Sequence, residues 1–246
     1  MTFKDHFSGH APQYSRSRPD YPSTLFKWIS RQCREHALAW DCGAGNGQAA
    51  RGLAEYFKLV LATDASHSQL AAASVGDQIL LAVAKAEQAP LAPRSVDLVA
   101  AAQAVHWFDI PAFFTNVDRV LKPAGVLALW CYGLCRIAPW IDRVVQSYYD
   151  EQLADYWPPE RRLVEAEYAT IEMPYKRLKS PEFVMEKRWT REQLIGYLNS
   201  WSATQRYLAH HRENPLAAIN AELSRDWPDA TRKTLRWPVA LLAARK

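Results

Sequence analysis

The chain has 246 residues, 49% of them hydrophobic and 23% charged, and its 30 Lys and Arg against 26 Asp and Glu leave a formal net charge of +4. That length suits one α/β domain with a sizeable core, and the composition is that of an ordinary globular protein. It excludes a membrane bundle, which needs apolar runs of about 18 residues, and a basic nucleic-acid surface, because Lys and Arg are interleaved with Asp and Glu.

Residues 1–22 are polar and aromatic, with Pro12, Pro19 and Pro22, and read as an irregular arm. Residues 23–35 predict a first helix. Leu38-Ala-Trp-Asp41 is a short apolar run ending in an acid, and Gly43, Gly45 and Gly47 follow at alternate positions. Ala50, Leu53, Ala54 and Phe57 then recur at helical spacing. The pattern is strand, tight glycine loop, helix. Without Cβ atoms in the loop a ligand can lie against the main chain, and the helix start behind it offers N–H groups and partial positive charge.

Lys58–Asp64 is a second apolar run ending in an acid, placed to accept hydrogen bonds from ribose hydroxyls. Ile79–Ala84 is a third, followed by Lys85-Ala86-Glu87. Ser95–Ala102 is a fourth, followed by Gln103-Ala-Val-His-Trp-Phe-Asp109. A helix starts at Asp109 and Pro111, buries Phe113, Phe114, Val117, Val120 and Leu121, and stops at Lys122-Pro123. Gly125–Trp130 is a fifth strand. Strands alternating with helices call for parallel pairing and right-handed crossovers.

Beyond residue 138 the pattern becomes mainly helical. Trp140–Tyr156 is helical, Trp157-Pro-Pro159 breaks it, and Arg161–Tyr168 forms another short helix. Phe183–Trp189 is a strand. Thr190-x-x-Gln193 is a capping box that opens a helix through Asn199. Helices near 203–212 and 215–226 precede a final strand, Thr231–Ala244, in which Pro238 suits only an edge or a bulge.

Asp-x-Gly-x-Gly-x-Gly from Asp41, then Asp64, Ala86-Glu87, Val96-Asp97-Leu98-Val99 and Arg119-Val-Leu-Lys-Pro123 together resemble a class I S-adenosylmethionine-dependent methyltransferase of the small-molecule "type 11" group. Arg18-Pro-Asp-Tyr-Pro22, Gln103-Ala-Val-His-Trp-Phe108 and Trp201-Ser-Ala203 are similar to phrases in trans-aconitate methyltransferase-like proteins. Two positions depart from the family pattern: Ala44 stands where Cys is common, and Ala124 where Gly usually follows Lys-Pro. The resemblance implies a doubly wound, mostly parallel Rossmann-like α/β sheet with helical insertions in the C-terminal half. It divides one overall domain into an arm (1–22), a cofactor-binding core (23–137) and remaining strands with a substrate-side cap (138–246).

The implied cofactor is S-adenosylmethionine, with S-adenosylhomocysteine as product. Asp41 faces its ammonium group, Gly43, Ala44 and Gly45 its amino-acid end, Asp64 and Ala65 the ribose, Ala86 and Glu87 the adenine, and Gln103 the opposite wall. Tyr14 and Arg18 fold over the cofactor carboxylate or are surface residues of the arm. NAD fits less well, since Gln48 stands where its fingerprint needs a third Gly and Asp41 would repel a pyrophosphate.

On the acceptor side, His106 is a candidate catalytic base or a packing residue of its loop, and Trp107 offers an apolar wall or a π-face. The Trp and Tyr content of residues 140–207 suits a lid with an apolar inner surface, or helix packing alone. An Asn/Asp-Pro-Pro-Tyr signature for base amines is missing at 102–107, which argues against nucleic acid. The expected partner is therefore a small molecule, with a carboxylic acid as candidate acceptor. The alternative is a regulatory protein that binds S-adenosylmethionine without turnover. Oligomeric state is not legible. Cys33, Cys42, Cys131 and Cys135 form no metal-ligand spacing and suit a reducing compartment. With a polar N-terminus unlike a signal peptide, the expectation is a cytoplasmic protein without metal or membrane segment.

Overall fold

A computed structural model describes residues 18–211 and 213–246, so Tyr14 and most of the arm lie outside the described residues. Apolar runs at the expected places form β1 (Leu38–Cys42), β2 (Leu59–Asp64), β3 (Ile79–Val83), β4 (Val96–Ala102) and β5 (Leu121–Tyr132). The helices among them are α1 (Ser23–Gln32), α2 (Gln48–Ala54), α3 (His67–Ala71) and α4 (Ile110–Val120). α4 begins where its cap predicts: Asp109 accepts a hydrogen bond from the Ala112 amide at 3.2 Å, and Pro111 sits in the first turn.

The C-terminal half adds α5 (Pro139–Ser147), a π turn (Tyr148–Gln152), α6 (Arg161–Glu165), β6 (Lys176–Arg177), β7 (Phe183–Trp189), α7 (Arg191–Asn199), α8 (Ser202–His210), α9 (Pro215–Ser224) and β8 (Lys233–Arg245). Thr190 and Gln193 form the reciprocal capping box of α7.

The strands order as β3-β2-β1-β4-β5-β8-β6, with β7 also on β8. β1 to β5 are mutually parallel where they pair, and β8 runs antiparallel to β5, β6 and β7. The sheet is thus mostly parallel and doubly wound. The chain leaves β1 towards β2 and β3, then returns to β4 on β1's other side. This reversal leaves a crevice at the carboxyl ends of β1 and β4, where open α/β sheets receive ligands.

Both faces of the sheet are buried, as parallel strands require. Ala39, Leu98, Ala100 and Ala128 join α1, α2, α5 and α7 in one core. The alternating residues Trp40, Val99, Ala101 and Leu127 join α4 in the other. Tyr149 and Leu153 belong to the first core and Val164 and Tyr168 to the second. α6 also packs on the turn Val105–Trp107 that follows β4. The segment between Leu153 and Val164 therefore passes from one sheet face to the other over the carboxyl edge.

The opposite edge is tied by Asp97, 4% exposed, which accepts the Ala37 and Leu38 amides at 2.8 and 2.9 Å and the Lys122 ammonium at 2.6 Å. Pro238 lies where β8 has run past β5. Tyr132 faces Val239 but Arg136 faces Arg236, four steps against three, so the register slips by one residue beside the proline. No ladder bond is asked of its missing N–H there.

Candidate functional site

β1 carries Asp41 into the crevice as a fully buried carboxylate neither of whose oxygens has a hydrogen-bond partner. Burial pushes its pKa up to about 7; the Ala50 amide favours the anion without completing a hydrogen bond, and the Asp64 charge raises the pKa further. A wholly desolvated carboxylate is costly unless something meets it. A ligand ammonium would do so.

The loop after Asp41 turns through left-handed conformations at Gly43, Gly45 and Gly47, with φ of +69°, +54° and +77°. At Gly43 an added Cβ would fall 2.6 Å from the Ala104 methyl, so β1 and the turn after β4 approach as closely as glycine permits. At Gly45 the same atom would meet nothing nearer than Gln69 Oε1 at 3.7 Å, which leaves its backbone open to a ligand.

Asp64, at the end of β2, clamps the loop from its other side. Its Oδ2 accepts the Gly45 amide at 2.9 Å and its Oδ1 accepts the Ser66 amide at 2.8 Å, across half-buried Ala65. The carboxylate thereby fixes the glycine loop. Further along the same edge, Ala86 and Glu87 form a short 3-10 turn. Asn116 of α4 donates to the Ala86 carbonyl at 2.8 Å, and the Asp109 amide donates to Glu87 Oε1 at 2.9 Å. The ends of β3 and β4 are therefore joined through α4.

Gln103 adopts φ +53° at the end of β4. Its side chain is committed to Tyr132 of β5, donating to the carbonyl at 3.1 Å and accepting the amide at 2.9 Å. It positions the β4 turn. His106 and Trp107 lie in that turn, with His106 6% exposed and Trp107 half-buried, their rings 4.8 Å apart. His106 Nδ1 is 2.8 Å from the Tyr168 hydroxyl. Burial, helped by the nearby Arg161 charge, pushes the His106 pKa down to about 3. The imidazole is neutral across the physiological range.

The structure adds partners that the sequence did not single out. Tyr168, fully buried at φ +60°, holds His106 from a polar stretch with no periodicity to mark it. Arg161 opens α6 and lies over the rings of Trp157 and Tyr149, at 5.0 and 5.6 Å. Arg18, the first described residue of the arm, lies 5.2 Å over Tyr197 and donates to the Tyr132 hydroxyl at 3.4 Å. The phrases around Arg18, Gln103 and Trp201 thus meet: Trp201 packs on Tyr197 at 5.6 Å, and Gln103 and Arg18 both reach Tyr132. Among the described residues no group of three His, Cys, Asp or Glu is placed to hold a metal, and no helix is long and apolar enough to cross a membrane.

Comparison with known proteins places the chain in a family and a fold. A family model described as a methyltransferase domain matches residues 40–129, which spans β1 to β5. A Dictyostelium discoideum protein named as a methyltransferase is 32% identical over 252 residues, covering 99% of this chain and 96% of that protein. A solved structure from Anaeromyxobacter dehalogenans, described as a type II methyltransferase, superposes with a TM-score of 0.87 at 40% identity and covers 93% of this chain and 97% of that one. The Haemonchus contortus phosphoethanolamine N-methyltransferase 2, solved with S-adenosylhomocysteine and phosphomonomethylethanolamine, shares the fold, with a TM-score of 0.51 at 18% identity over all of this chain and 60% of that one.

Proposed function

Because this chain belongs to the S-adenosylmethionine-dependent methyltransferases, we propose that it methylates a small organic molecule, and that the acceptor is a carboxylic acid. When bound, the cofactor supplies a methyl carbon on a cationic sulfur. The chain's own residues bind, align and exclude water. Asp41 meets the ammonium group with a carboxylate that has no other partner. The open backbone of Gly43, Ala44 and Gly45 receives the amino-acid end. Asp64 and Ala65 border the ribose, and Ala86 and Glu87 the adenine. Trp107 and the rings of Tyr149, Trp157 and Trp201 wall the acceptor side against water.

The observation that carries the acceptor class is His106. A hydroxyl or amine acceptor calls for a base near the working pH, whereas a carboxylate is already ionised. The imidazole nearest the expected methyl position is held near pKa 3 and bonded to Tyr168. It shapes the pocket and is a poor base. The phrases around Arg18, Gln103 and Trp201, similar to those of trans-aconitate methyltransferase-like proteins, support the same acceptor class.

The test is transfer of labelled methyl groups from S-adenosylmethionine to a panel of small acids, phenols and amines. The expected product is a base-labile methyl ester. Turnover confined to phenols or amines would overturn the acceptor class. Binding of S-adenosylhomocysteine with no transfer to any class would favour a regulatory protein.

A further inference from the structure

We propose that Arg161 is the anion anchor of the acceptor site and sets its preference for carboxylates. The inference takes its location from the methyl-transfer reading above, and a binding measurement tests it separately.

Arg161 is half-buried at the start of α6, on the segment that crosses the carboxyl edge. Its Nε donates to the Tyr149 hydroxyl at 2.9 Å, and its plane rests on Trp157 and Tyr149. The Tyr149 hydroxyl in turn donates a hydrogen bond to Glu165 Oε1 at 2.6 Å. Glu165, one turn along α6, is thus engaged by the tyrosine and forms no ion pair with Arg161. Among the described residues Arg161 makes no ion pair at all, and neither terminal Nη has a hydrogen-bond partner. Its charge nonetheless reaches the reaction side of the sheet, where it acts on His106 and on Cys131 of β5.

A guanidinium already fixed through Nε and stacking loses little freedom on binding. Its two terminal nitrogens, with four N–H donors between them, form the planar fork that matches a carboxylate. Beside it, half-buried Trp157 offers an apolar ring to the rest of a small acid, with buried Tyr149, Trp201 and Tyr197 packed behind it. Trp157 packs at 4.5 Å on Tyr149 and 5.6 Å on Trp201, and Trp201 packs 5.6 Å from Tyr197, which lies beneath Arg18. An organic anion can lie against Trp157 with its charge at Arg161 and its reacting carboxylate towards His106 and Trp107. A phenol or neutral amine would leave the fork unmet.

Protein saturated with S-adenosylhomocysteine is titrated calorimetrically with succinate, tricarballylate and benzoate, and with their methyl esters. Wild type is expected to bind at least one acid saturably and none of the esters. Arg161→Gln should weaken that acid by about ten- to a hundredfold with unchanged affinity for S-adenosylhomocysteine, which also certifies the fold. Arg161→Lys, a charge without the fork, should recover part of the loss. If Arg161→Gln does not fold, a weakening in Arg161→Lys carries the test. Equal acid binding by wild type and variants overturns the proposal, as does wild type that binds S-adenosylhomocysteine but no acid. Failure to bind S-adenosylhomocysteine would overturn the cofactor reading instead.

Discussion

His106 Nδ1 and the Tyr168 hydroxyl are 2.8 Å apart, and this bond joins the turn after β4 to the end of the segment that crosses the sheet edge. It holds the imidazole in one orientation without charging it. Turnover should therefore show no inflection near pH 6.5 from this residue, and His106→Gln should keep much of the rate. A loss of several orders of magnitude with cofactor affinity intact would make His106 a base after all. Stability carries the opposite signature. The folded pKa lies near 3 and the unfolded value near 6.5, so the unfolded chain takes the proton first. Acidification from about pH 6.5 towards pH 4 should cost a few kcal/mol at most, and His106→Gln should reduce that loss, as read from unfolding midpoints.

Asp41 should make cofactor binding pH-dependent. Its folded pKa of about 7 means that below neutrality the free protein holds a proton where the ligand ammonium belongs. Affinity for S-adenosylhomocysteine should fall towards about tenfold per pH unit below pH 7, with a proton released on binding. Calorimetry at pH 6 in two buffers of different ionisation enthalpy reads that proton directly. Asp41→Asn should weaken binding at pH 8 and flatten the dependence. The raised pKa also means that Asp41 adds stability as pH falls from about 7 to 4, a contribution already lost by pH 7 and unchanged above it, against the trend from His106.

Asp64→Ala should lose more than a ligand contact, because the same carboxylate holds Gly45 and Ser66. Affinity for S-adenosylhomocysteine should drop by about 1.5–3 kcal/mol, with about 1–3 kcal/mol lost from stability. Unchanged affinity in a folded variant would remove Asp64 from the site.

Ala124→Gly should stabilise. Ala124 holds φ +64° in the turn of β5, a left-handed conformation that favours glycine. Relief of left-handed strain is worth about 1 kcal/mol, readable as a higher denaturation midpoint with no change in activity. A lower midpoint would show that the methyl group's packing outweighs the strain.

Much of the parallel half of the fold was legible because it is local. Leu38–Asp41, Lys58–Asp64 and Ser95–Ala102 are apolar runs that match β1, β2 and β4 within about a residue, and Thr190 and Gln193 announce α7 through their own side chains. β5 begins at Leu121 rather than Gly125 because the Lys-Pro turn is held within the sheet: Leu121 pairs with Val96 before Val126 pairs with Leu98. β6 is only Lys176–Arg177 and owes its pairing to β8, so no local signal marks it. Gln103 drew notice from its place after β4, but the bonds of its amide to Tyr132 of β5 could not be read from the chain. Tyr168 and Arg161 carry no periodicity or motif. Their roles arise when distant segments meet over the sheet edge, which single-chain spacing does not encode.

The Asp97 clamp with Lys122, Ala37 and Leu38 has an evolutionary consequence. Two of the most recognisable phrases in this chain, those around Val96-Asp97 and Lys122-Pro123, secure the sheet at the edge away from the reaction. Selection for foldability alone would preserve them. A descendant that had lost its acceptor, or all turnover, would still be recognised by these phrases, whereas the record of its change would lie in Arg161, Trp157 and Trp201.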